Sequence, residues 1–289
     1  MKNRVLQIIF WTILIFISSC SEDDVTTVPI ELKERVLNEI ITREYKDGEE
    51  SNRIEEYFLS GKQYLKYTYE GNTLVAKVEY KYNSRGSIER IKYYYNDVFE
   101  EQDDFIYDTE GRLIEFYSEN RTAPEMAYYR EFEYPGDSTI LEQQKDNLKE
   151  PLPGGTFVYS LNELNLIKKI ESEDGKIFEA DYEENQIISV RTPSADTYNY
   201  TYDEINLEHG DFYKKYFQSI YGREVNNAAL SLSSLLDIPM VYADKFLLTS
   251  TSENSALRYE YVIDDEGFPI ERDIFYNDML TSKTTYAYE

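Results

Sequence analysis

The sequence predicts an all-β chain: a long antiparallel meander of tyrosine-rich hairpin repeats forming a curled sheet, with a short helical insertion near residues 211–238. Tyrosine contributes 29 of the 289 residues, and the aromatic residues recur as pairs at spacing two. Turn residues separate the pairs at intervals of roughly 8–14 residues. Spacing two on a strand places both rings of a pair on one face. A ring covered by a cross-strand neighbour, with its hydroxyl reaching water, lets a thin sheet gain burial without a thick core.

The N-terminus precedes the repeats. Met1-Lys2-Asn3-Arg4 is basic, Val5 to Ile17 is almost unbroken apolar sequence, and Ser18 and Ser19 are small. This is the layout of an export signal. As a helix the apolar run would rise only about 20 Å, short of the roughly 30 Å hydrocarbon core, so a permanent membrane span is disfavoured. The run ends at Ile17-Ser18-Ser19-Cys20, which contains the only cysteine. It resembles the lipobox of bacterial lipoproteins, and the resemblance implies lipidation at Cys20. Ser21-Glu22-Asp23-Asp24 then resembles the surface-export tether of Bacteroidota lipoproteins. The expected organisation is a signal peptide over residues 1–19, an acidic tether over 20–30, and a repeat domain over 31–289.

Within that domain the pairs are Tyr67/Tyr69, Tyr80/Tyr82, Tyr93/Tyr95, Phe105/Tyr107, Phe132/Tyr134, Phe157/Tyr159, Tyr200/Tyr202, Tyr259/Tyr261 and Tyr286/Tyr288, with Ala180/Tyr182 as a degenerate copy. Gly61, Glu70-Gly71-Asn72, Gly86, Asn96-Asp97, Gly111, Pro135-Gly136, Asp174-Gly175, Gly267 and Asn277-Asp278 mark the turns. Leu74, Ala76, Val78, Tyr80 and Tyr82 alternate with Val75, Lys77, Glu79 and Lys81, as a half-buried strand requires. Residues 32–45 suit either a helix or a strand, and the strand reading is preferred. Such regular repetition favours a stack in which each hairpin contacts its neighbours and both end hairpins need protection.

Residues 208–248 break the pattern. Phe212, Tyr213, Tyr216, Phe217, Ile220 and Tyr221 have helical spacing, with Asp211 as N-cap and Gly222 as stop. A second short helix would run from Ala228 through Leu236 to Pro239. Both would cover a face or an open end of the sheet.

Phe105-Ile106-Tyr107-Asp108-Thr109-Glu110-Gly111-Arg112-Leu113 resembles the tyrosine-aspartate repeats of Rhs-type proteins. The wider layout, with Tyr200-Thr201-Tyr202-Asp203-Glu204-Ile205-Asn206-Leu207, the leucine-rich insert, Tyr259-Glu260-Tyr261 and Gly267-Phe268-Pro269, resembles uncharacterised Bacteroidota lipoproteins with a tyrosine-rich β-repeat. The likeness covers residues 55–289. Pro135 and Ser160 stand where that pattern has Asp or Asn.

Function is read mainly by exclusion. The formal charge of -26 argues against nucleic acid as a partner. One Cys, one His and one Trp leave no inventory for disulfides, Cys/His zinc sites or most nucleophile–imidazole machinery. No nucleotide-binding glycine loop, GxSxG elbow or HExxH helix occurs, and no cofactor or metal site is read. Asp103-Asp104, Glu183-Glu184 and Asp264-Asp265-Glu266 supply close carboxylates, but neighbours on a strand point to opposite faces, so solvated turns are preferred to acid–base pairs. His209 is read as a loop histidine. The expectation is a lipid-anchored envelope protein, surface-exposed at the outer membrane, that binds or scaffolds a glycan, another extracellular polymer or a surface protein without catalysis. The alternative is a carboxylate-dependent hydrolase acting on glycans.

Overall fold

The computed structural model describes residues 35–183, 186–193, 196–203, 247–253 and 255–289. The chain divides into Met1–Arg35 and Val36–Glu289, and all described strands belong to the second unit. They are β1 (Leu37–Lys46), β2 (Glu49–Leu59), β3 (Lys62–Glu70), β4 (Thr73–Tyr82), β5 (Ile88–Tyr95), β6 (Val98–Tyr107), β7 (Leu113–Asn120), β8 (Tyr128–Gly136) and β9 (Thr139–Lys145). The second half comprises β10 (Pro151–Leu161), β11 (Ile167–Ser172), β12 (Ile177–Glu183), β13 (Gln186–Arg191), β14 (Thr197–Tyr202), β15 (Leu247–Thr251), β16 (Ala256–Ile263), β17 (Pro269–Tyr276) and β18 (Met279–Tyr288). Among the described residues the only helical piece is a 3₁₀ turn at Pro124–Met126. The expected helices, near 211–238, lie outside the described residues; of the 208–248 insertion only Leu247 and Leu248 are described, and they belong to strand β15.

Each strand pairs antiparallel with the next, and β18 then pairs with β1 from Leu37↔Tyr288 to Glu44↔Ser282. The expectation of a curled open sheet is thereby corrected to a closed 18-stranded barrel. The physical reason is the edge. An open meander leaves two rows of unpaired N–H and C=O groups, and closure satisfies both rows with each other. Val36 and Glu289 extend this seam by exchanging backbone hydrogen bonds of 3.2 and 2.9 Å. The two end hairpins therefore protect one another.

Because neighbouring strands run antiparallel, the start of β1, the end of β18 and the described connections after even-numbered strands share one rim, called here the terminal rim. The described connections after odd-numbered strands occupy the turn rim. The repeat motif is built at the terminal rim. Tyr82, Tyr107, Tyr134, Tyr182, Tyr202 and Tyr288, each at or near the end of an even strand, donate their hydroxyls to the carbonyls of Gln63, Ile88, Leu113, Ile167, Ile187 and Pro269. Each of these carbonyls lies at or next to the start of the preceding odd strand. The hydroxyl thus latches a hairpin shut at its open end.

The residue after Tyr82 or Tyr107 organises the following turn. Asp108 Oδ1 accepts the N–H groups of Glu110 and Arg112, and Asn83 Oδ1 does the same for Arg85 and Ser87. This self-bonding is why Asp and Asn favour such turns. Gly111 takes a left-handed φ of 90°, accessible to glycine without Cβ strain. The first residue of the next strand, Leu113 after this turn and Ile88 after the previous one, is 0% exposed. Tyr-Asp-x-x-Gly-x-Leu is thus a latch, a turn clamp, a φ specialist and a core anchor in succession.

The irregular stretch behaves differently. Tyr134 keeps its latch although Pro135 follows it. At β10 the turn clamp moves two residues on, from the expected Ser160 to Asn162, whose Oδ1 accepts Leu164 and Leu166 N–H. At most pairs both rings face the core, but Tyr67/Tyr69 faces outward. Tyr67 lies opposite Glu55 and Lys77, while the intervening Thr68 lies opposite Ile54 and Ala76.

Candidate functional site

The two faces of the wall are chemically opposite. The inner face carries Ile88, Ile91, Phe105, Leu113, Phe116, Phe132, Ile170, Ile187 and Val190, all buried. The outer face carries charged rows in register. One runs Lys81↔Arg90↔Asp104↔Tyr117↔Tyr129↔Lys145 across six strands. Cations also lie over outward rings: Arg53 over Tyr69 at 4.4 Å, Lys77 over Tyr94 at 3.9 Å and Lys149 over Tyr129 at 4.4 Å. A lipid-spanning barrel needs an apolar outer band, and each Arg or Lys at its midplane costs about 2–4 kcal/mol. This wall has the reverse arrangement, with charged rows outside and buried apolar side chains inside.

Two places depart from simple packing. The first is on the inner face toward the turn rim, where β6 to β10 replace apolar side chains with polar ones. Arg130 donates to both oxygens of Glu142 at 2.6 and 2.7 Å, and Gln144 and the Tyr159 hydroxyl also donate to that carboxylate. Glu142 is 1% exposed. Burial alone would pull the Arg130 guanidinium down, but the Glu142 carboxylate outweighs it and raises its pKa. Burial followed by the same carboxylate raises the Tyr159 hydroxyl far above its ordinary range. The group is an ion pair with a phenol locked onto it.

Two strands away, Asp103 accepts the Tyr93 hydroxyl at 2.8 Å, and its Oδ1 is buried without a hydrogen-bond partner. Burial pushes its carboxyl up to about 6, against the opposing hydrogen bond from Tyr93. Asp103 and Asp104, adjacent in sequence, are separated by the wall: Asp104 is outside, paired with Arg90 at 2.6 Å.

The second place is an outer groove of about 910 Å³ beside the terminal rim, between the Asn83–Ser87 and Asp108–Arg112 turns. Its surface includes Arg85, Glu89, Arg90, Asp104, Glu115 and Tyr117. Arg85 Nη1 bridges the two turns by donating to the carbonyls of Asp108 and Thr109 at 3.3 and 2.9 Å. Tyr117 stacks on Tyr129, with centroids 4.4 Å apart and planes 21° apart.

The sequence-derived candidates fare unevenly. Cys20 and His209 lie outside the described residues, as does Glu184. Asp264 is a turn clamp, accepting the N–H groups of Glu266 and Phe268. Among the described residues no three His, Cys, Asp or Glu side chains gather as a metal site. The Arg130–Glu142–Tyr159 group went unforeseen. Its signal was phase: Arg130 sits two residues before Phe132 and Glu142 two after Ile140, in step with the inward rings.

No protein-family model and no curated protein sequence matches the chain. Among solved structures it is similar to a porin-like protein from Bacteroides uniformis, at 10% identity and a TM-score of 0.45, over 88% of this chain and 98% of that one. It is also similar to TcdB2-TccC3, at 10% identity and a TM-score of 0.22, over 84% of this chain. The chain spans only 17% of that protein's length.

Proposed function

We propose that this chain is a lipid-anchored protein of the cell envelope, tethered through Cys20 at the surface of the outer membrane, and that its barrel is a non-enzymatic binding or scaffolding module. Its partner in this reading is an extracellular polymer or another surface protein. The observation that carries the reading is the polarity of the wall, apolar inward and charged outward. Such a barrel folds in water and needs a separate device to stay at a membrane, which a lipidated cysteine supplies. Binding in place of turnover is supported by the outer groove. It is open, and each of its carboxylates is held by a cation.

The test is fractionation of cells expressing the full chain or Cys20→Ser. The wild type should incorporate labelled palmitate and sediment with membranes, whereas Cys20→Ser should do neither. Membrane integration of the Cys20→Ser protein would overturn the reading, because the wall itself would then lie in lipid. Retention of glycans or surface proteins, with substrate turnover scored in parallel, tests the binding half. Hydrolysis of any retained glycan would replace this reading with the carboxylate-hydrolase alternative.

A further inference from the structure

The outer groove has a composition that defines its occupant more narrowly. Its four carboxylates are all compensated: Glu89 by Lys81 at 3.2 Å, Asp104 by Arg90 at 2.6 Å, Asp108 by Arg112 at 2.8 Å and Glu115 by Lys149 at 3.7 Å. A cationic ligand would compete with these partners for the same oxygens. An anionic ligand would meet four carboxylates against only Arg85 and Arg90 among the lining residues. Fixed, internally neutralised pairs instead present acceptors and donors at set positions, as recognition of a neutral polar ligand requires. Gln102 extends this array by donating to Asp104 Oδ2 at 2.7 Å.

The apolar component is equally specific. Tyr117 is stacked on Tyr129, so its ring is held in one orientation, and Ile106 beside it is 46% exposed. A rigid ring with hydrogen-bonding groups around it matches a ligand having an apolar C–H face and a hydroxyl rim. An extended peptide usually gains its affinity by adding a strand to a sheet edge, and this closed ring offers none among its paired strands. A volume of about 910 Å³ exceeds what one monosaccharide fills and suits a short segment of a chain.

We infer that the groove between the 83–87 and 108–112 turns binds a neutral oligosaccharide segment, with Tyr117 as the stacking platform and the Arg90–Asp104 pair as the hydroxyl-reading group. The inference rests on the proposed binding function and assigns it a site and a ligand class. The Arg85 bridge is a positioning contact, fixing the distance between the two turns that form the walls.

The test is native affinity electrophoresis of the full chain in detergent, through gels cast with dextran, mannan, laminarin or arabinogalactan, and through gels cast with the polyanion alginate. At least one neutral glycan should retard the wild type, and alginate should not. Tyr117→Ala should weaken that retardation by about ten-fold or more, the loss of a central aromatic anchor. Tyr117→Phe, which keeps the ring, should preserve it, as should Tyr64→Ala at an exposed tyrosine outside the groove. Matching melting curves for Tyr117→Ala and Tyr117→Phe separate ligand loss from unfolding. Retardation by alginate alone, by none of the glycans, or undiminished in Tyr117→Ala overturns the inference. Retention of a surface protein in the same experiments would leave the binding function standing while this site and ligand class fall.

Discussion

Replacing Glu142 by Gln should be among the most damaging single changes in the barrel. The carboxylate accepts two hydrogen bonds from Arg130, one from Gln144 and one from Tyr159, at 1% exposure. The amide has nearly the same shape, but one oxygen becomes an NH₂ that faces donors. It also leaves the Arg130 guanidinium, 7% exposed, without its counter-charge. Breaking a buried pair from one side costs about 3–5 kcal/mol. Against a total stability of about 5–15 kcal/mol, that is roughly a fifth of the fold or more. Urea denaturation should show the midpoint falling accordingly, with an apparent melting temperature lower by roughly 6–20 °C. The double replacement Arg130→Met with Glu142→Leu removes both charges, and it should be less destabilising than Glu142→Gln. A loss below about 1 kcal/mol in Glu142→Gln, or a double variant as unstable as the sum of its singles, would refute the argument that the two charges are held for each other.

Two further outcomes follow from the same wall. Asp103 has its carboxyl raised to about 6 in the folded chain from an ordinary 3.8. The proton therefore favours the folded state. The carboxyl carries no penalty below about pH 4 and costs stability as pH rises through 6, by on the order of 3 kcal/mol. Asp103→Asn should accordingly gain on the wild type between pH 4 and pH 8 in paired urea titrations, and a difference independent of pH would contradict the assignment. Tyr107→Phe removes one latch, the 2.8 Å bond to the Ile88 carbonyl, and leaves that oxygen without this donor. It should cost about 0.5–1.5 kcal/mol, and hydrogen exchange should quicken at the open end of the β5–β6 hairpin and much less elsewhere.

Much of this architecture was legible in local sequence, because its repeat is local. Tyr107-Asp108 and Gly111-Arg112-Leu113 each carry a role that can be assigned from residue chemistry, and spacing two gave the shared face. Closure was not legible. It depends on β1 meeting β18 at the far end of the chain, from Leu37↔Tyr288 to Glu44↔Ser282, and nothing in Leu37–Lys46 marks it as the partner of Met279–Tyr288 in preference to solvent. Spacing two put Tyr67 and Tyr69 on one face without saying which, because the face is decided by Thr68, whose partners Ile54 and Ala76 lie on other strands. The buried charges escaped for a related reason. Arg130 and Glu142 are far apart in composition from a core, and only their phase with Phe132 and Ile140 placed them inside. The groove required two turns to be neighbours in space, which a list of turns does not convey.

The seam between Val36 and Glu289 means that the barrel has no privileged first strand. The amide and carbonyl of its two ends already bond to each other. A short linker joining them would create a covalent circle, which could be reopened at a two-residue turn such as Asn96-Asp97 without deleting any strand pairing. Permuted chains of this kind would move the two ends of the barrel from the terminal rim to the turn rim, leaving the tyrosine latches at the rim opposite the new termini.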